Sequence, residues 1–137
     1  MTGRLHAWLR QAHSDLAMAT YANDGGFHAQ ACYHCSQAAE KALKALLLAL
    51  DQEPERTHSI ERLLSALESL GITTAPLRQL PLKPLQRMTT ASRYPDGDEA
   101  PVDLFDERDG AMALEVARAV VGFADEQLGG LVQAESS

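Results

Sequence analysis

Between Arg4 and Ala22, apolar side chains recur at Leu5, Trp8, Leu9, Ala12, Leu16 and Ala19, with Tyr21 fitting more loosely. Steps of three and four residues place them on one face of a helix. Asn23-Asp24-Gly25-Gly26 predicts a stop, because glycine adopts the left-handed conformation that ends helices and asparagine tolerates it. The next segment, Phe27 to about Leu50, holds neither glycine nor proline. Ala31, Cys35, Ala38, Ala39, Ala42, Leu43, Leu46, Leu47 and Leu50 form a broad apolar stripe along it. Small residues crowd its first half, from Ala29 to Ala39, which predicts close approach by another helix and a central position. A third helix is expected from Thr57 or His58, with the Thr57 hydroxyl as N-cap. Ile60, Leu63, Leu64, Leu67 and Leu70 carry its apolar face, and Gly71 closes it.

Pro76, Pro81 and Pro84 punctuate the following stretch. Proline is tolerated in a first turn and breaks an interior, so residues 72–76 read as a connector. A fourth helix is either kinked or begins near Leu82, with Leu85 and Met88 as its apolar edge and an end near Ser92. Arg93 to Asp103 reads as an exposed polar loop in which Pro95 holds Tyr94 extended and Asp96-Gly97 turns the chain. The last helix spans about Asp106 to Leu128, lined by Ala113, Val116, Ala117, Val120, Val121, Ala124 and Leu128. Gly129-Gly130 is expected to end it, leaving residues 130–137 as a frayed tail. The pattern predicts an all-α, up-and-down bundle of four to five helices forming one domain over 1–137.

Composition agrees with that class, since alanine and leucine dominate over seven aromatics. The net charge of −7 argues against coating nucleic acid, which relies on Lys and Arg neutralising phosphates, but leaves room for a local basic cleft. Cys32 and Cys35 are the only cysteines. A zinc site needs about four ligands, so they read as reduced, packed thiols, and neither a metal nor a cofactor is called for. No apolar run reaches membrane-spanning length, and the first ten residues lack a signal-peptide core. The expectation is a cytoplasmic protein with no membrane partner.

Three elements together carry a resemblance: Gln37-Ala-Ala-Glu-Lys-Ala-Leu-Lys44, the helix start Thr57-His58-Ser59-Ile60, and Arg93-Tyr94-Pro95-Asp96. In order and spacing they resemble the HEPN superfamily, in its small stand-alone prokaryotic branch with an RYPD motif, over roughly Arg4 to Leu128. The resemblance implies a bundle of four or five helices, usually a homodimer. It also implies a small nucleotidyltransferase as partner, often in a toxin–antitoxin pair. Many HEPN domains are metal-independent ribonucleases whose signature is an Arg followed, after four to six residues, by a His. In that signature the Arg steadies phosphate charge and the His moves a proton. Here Arg93 takes the Arg position, but Asp98 stands where the His belongs, and no other Arg has a His at that interval.

The reading that follows is a HEPN-like binding protein. It is a homodimer, partnered by a minimal nucleotidyltransferase, that binds nucleotide or RNA near the RYPD loop. The alternative is a metal-independent RNA endonuclease toxin in which Arg93 clamps phosphate and Asp98, Asp96 or His58 replaces the missing His. Candidate binding residues are Arg93, Tyr94, Asp96, His58, Lys41 and Lys44. Arg offers a planar fork that matches phosphate, and tyrosine a ring that suits bases. Each has a plainer role: Arg93 and Tyr94 as loop anchors, Asp96 in a turn, His58 beside a helix cap, Lys44 paired with Glu40 on a solvated face. The loop carboxylates Asp96, Asp98, Glu99 and Asp103 read as a solvated acidic loop, not a Mg²⁺ site.

Overall fold

The structure, a computed structural model, describes residues 2–95 and 97–136, and the side chains of all of these except Thr2 and residues 132–136. Among them are five helices of ten residues or more and two of a single turn, with no strand. These are α1 (Thr2–Asp24), α2 (His28–Ala49), α3 (Ile60–Ser69), α4 (Ala75–Arg78), α5 (Leu82–Ala91), α6 (Pro101–Leu104) and α7 (Glu107–Ser136). The all-α bundle expected from the periodicity is what forms.

The α1–α2 hairpin turns at Gly26, whose φ of +86° only glycine adopts without strain. There the Phe27 amide bonds back to the Ala22 carbonyl at 2.8 Å. Gly71, φ +91°, ends α3 in the same way. α2 is the central helix and packs on α1, α3, α5, α6 and α7. Its small residues explain why: Ala12 of α1, Ala38 and Ala42 of α2, and Val121 and Ala124 of α7 form one buried cluster, and short side chains let helix axes approach closely. The larger core lies on the other side. Leu43, Leu46 and Leu47 meet Ile60, Leu63, Leu64 and Leu67 of α3, Leu85 of α5 and Val120 of α7, all essentially inaccessible to water. Burying each leucine contributes about 1.5–3 kcal/mol.

Four local expectations change. Ser59, not Thr57, is the N-cap of α3: its hydroxyl accepts from the Arg62 amide at 3.2 Å. Thr57 stands one step further out and accepts from the Ser59 amide at 3.0 Å. The connector after residue 72 contains α4, and the polar loop contains α6. Both short helices carry proline in their first turn, where its fixed φ is already helical and its missing N–H has no partner to lose. Finally, α7 does not stop at Gly129-Gly130 but continues to Ser136. Adding residues to an existing helix costs about 1 kcal/mol per glycine relative to alanine, far less than starting one.

Candidate functional site

At 100° per residue, Tyr33, Gln37, Glu40 and Lys44 fall within about 60° of one another around α2, with Lys41 and His34 beside them. This polar stripe runs through a helix whose other sides are core. Gln37, Glu40 and Lys44 are themselves buried, so the solvated-face reading of Glu40 and Lys44 does not hold. The groups are instead satisfied in pairs. Lys44 Nζ donates to Glu40 Oε2 at 3.0 Å and sits 5.6 Å from the Trp8 ring centre. His58 Nδ1 lies 2.7 Å from Glu40 Oε1. Lys41 Nζ donates to Asp15 Oδ2 at 2.6 Å, and Asp15 is buried in α1.

The His58 arrangement has chemical consequences. Glu40 is an anion holding a lysine, so His58 Nδ1 must carry the proton and donate it. That leaves Nε2 unprotonated in the neutral ring and free to accept. The His58 side chain is 70% exposed and that of Glu40 6%. A buried carboxylate fixing the tautomer of an accessible imidazole is the way a general base is prepared.

Arg93 follows α5 and packs against the other end of the stripe. Its guanidinium lies 4.8 Å from the Tyr33 ring centre and 4.9 Å from that of Tyr94. Both contacts engage the flat faces of the cation. Among the described residues its N–H edge bonds no side chain, and the residue is exposed. Tyr33 also meets His34 edge-on, with centroids 5.3 Å apart. His34 is half-buried, and its Nδ1 stands 3.6 Å from Asp15 Oδ1 without a hydrogen-bond partner.

The structure therefore divides the sequence candidates into groups. Arg93 and Tyr94 are together. His58 and Lys44 are together through Glu40. Lys41 belongs to Asp15. Tyr33 and Glu40, the anchors of the first two groups, are seven residues or about 10 Å apart along α2. Asp98 is exposed and has no side-chain bond among the described residues; Asp96 lies outside the described residues. Among the described residues no three His, Cys, Asp or Glu side chains converge in a metal-binding group. Cys32 and Cys35 are buried and free, and burial pushes both thiols up to about 12. Tyr33 and Asp15 were not legible as site residues. The recurrence of polar side chains at 33, 37, 40 and 44 is the signal that could have found the first. No helix among the described residues is long and apolar enough to cross a membrane.

A HEPN domain family model matches residues 5–127. Two solved structures are similar. One is TT1696 from Thermus thermophilus, with TM-score 0.84 and 30% identity, covering 92% of this chain and 99% of that one. The other is ST0689, described as an archaeal HEPN homologue, with TM-score 0.72 and 34% identity, covering 90% of this chain and 96% of that one. A search of curated proteins finds no match.

Proposed function

As the chain belongs to the HEPN family, we propose that it is a homodimeric cytoplasmic binding protein that holds RNA or a nucleotide at the Arg93 end of α2. In this reading it is paired with a minimal nucleotidyltransferase in a toxin–antitoxin-type system. The observation that carries the ligand claim is the Arg93 guanidinium held between the Tyr33 and Tyr94 rings. Stacking on both faces orients the cation at little further entropic cost and leaves its N–H fork for a phosphate. The two phenol rings offer surfaces on which bases stack. Support for the partner and the dimer is family membership alone.

The test is binding of a labelled oligoribonucleotide, followed by anisotropy across a salt series. Arg93→Ala is expected to weaken binding about tenfold or more and to flatten the salt slope by about one unit. Arg93→Lys keeps the charge but not the fork and falls between. Equal affinity in all three proteins refutes the reading. The partner claim is checked by co-expression with a neighbouring nucleotidyltransferase gene and recovery of a complex.

The second reading, metal-independent RNA cleavage, is favoured by one observation: the His58–Glu40 pair supplies a prepared base where Asp98 cannot. It ranks second because the anchors of Arg93 and His58 are about two helical turns apart. Cleavage in the presence of a chelator, lost in both Arg93→Ala and His58→Ala, would promote it.

A further inference from the structure

Beyond Lys44, at the opposite end of the stripe from Arg93, the protein has a cleft of about 510 Å³. It is walled by Arg4, Trp8, Lys44, Glu53, Pro54 and Arg56. Trp8 is the chain's single tryptophan. From Tyr33 to Lys44 is eleven residues, about 16 Å along the helix, so the cleft is distinct from the Arg93 surface. Arg93 is not in its lining.

The lining charges are unequal. Three cations face one carboxylate in a chain whose net charge is −7. Arg4 engages Glu53 through two hydrogen bonds of 2.6 and 2.7 Å. That bond holds the Glu53 carboxyl below its ordinary range, and the pair stays ionised at neutral pH. Lys44, its side chain only 9% exposed, is committed to Glu40 and to the indole face. The Arg56 guanidinium has no side-chain partner among the described residues. What remains to recognise a ligand is an indole wall, a spare planar cation at the mouth, and a volume within the range of small-molecule sites. Such a site selects a flat aromatic group joined to a compact anion. The wall packs the ring, and the guanidinium fork pairs two anionic oxygens.

We propose that this cleft binds a nucleotide, free or at the end of an RNA strand, with its base against Trp8 and its phosphate on Arg56. The site stands on the cleft's own chemistry and does not require the Arg93 surface to bind anything.

Trp8 makes the test direct, because all tryptophan emission comes from the site. The protein is titrated with AMP, with adenosine, with inorganic phosphate and with a short oligoribonucleotide. The expected result is a saturable change in Trp8 emission with AMP or with the oligoribonucleotide, and weaker responses to adenosine and phosphate alone. Arg56→Ala, an exposed position, weakens it about tenfold, the loss of a charge-assisted contact, whereas Arg93→Ala leaves it unchanged. A response to AMP identifies the free nucleotide as ligand; a response to the oligoribonucleotide alone identifies the strand end. No change with either ligand up to about 1 mM, a limit equal to roughly −4 kcal/mol of binding, overturns the proposal. So does an affinity untouched by Arg56→Ala. A response lost in Arg93→Ala and kept in Arg56→Ala overturns it too, and places the nucleotide at the Arg93 surface instead.

Discussion

Glu40 and His58 are eighteen residues apart in sequence and 2.7 Å apart in space, joining the middle of α2 to the approach to α3. One partner is buried and the other open to solvent. The carboxylate is shared with Lys44, which is equally buried. Three ionisable groups thus sit where the helix would otherwise bury alanine or leucine. Such a grouping survives only because each charge has a partner.

Removing Glu40 strands the Lys44 ammonium in a buried place. Glu40→Ala is expected to lose about 3 kcal/mol of stability. His58→Ala removes an accessible partner and costs about 1 kcal/mol or less. Urea unfolding of the two variants measures both. Losses of equal size would show that Glu40 is held by the imidazole and not by the lysine.

Gly110 of α7 has no room for a side chain. A β-carbon there would stand 1.9 Å from Asn23 Oδ1, and Asn23 is held in place by His28 Nδ1 at 2.6 Å. Gly110→Ala gains helix propensity but overpacks this junction, for a net loss of about 1 kcal/mol. In an Asn23→Ala background the clash is gone, and the same substitution is expected to stabilise by about 0.5–1 kcal/mol. Thermal melts of the four proteins show the change of sign or its absence.

Burial, first, and for Cys32 the carboxylates of Asp109 and Asp106 push the two thiols up to about 12. Both residues are expected to resist a thiol reagent at pH 8 in the native protein and to react, two per chain, in denaturant. The folded values lie above the unfolded value of 9.0. Their contribution to stability is therefore complete below pH 9 and is lost as the pH rises from there through about 12. Rapid labelling of native protein at pH 8 contradicts this.

The cap of α3 separates two neighbouring hydroxyls. Ser59→Ala exposes the Arg62 amide and costs about 1 kcal/mol. Thr57→Ala loses only the bond to the Ser59 amide and costs about half as much. The order of the two denaturation midpoints decides which residue caps the helix.

Much of the scaffold is written in local pattern. The α1 stripe, the leucines of α2 and α3, and the turns at Gly26 and Gly71 follow from side-chain spacing and from glycine's access to positive φ. Less legible were the elements where two local rules compete. Pro76 and Pro101 signal interruption, yet each also starts a one-turn helix. Gly129-Gly130 signals an end, yet α7 passes through it. Thr57 and Ser59 both satisfy the chemistry of a cap, and only the path of the chain chooses between them.

Periodicity alone was enough to establish an all-helical chain with α2 at its centre, because each helix announces its buried face within a few turns of its own sequence. The ordered residues around that helix are another matter. Arg93 meets Tyr33 from sixty positions away, His58 reaches Glu40 across a turn, and Trp8 closes over Lys44 from a different helix. Such pairings depend on how the helices dock, and docking is decided by the fit of whole faces. Charges spaced like those of a solvated helix become a buried network once α1 and α3 cover them.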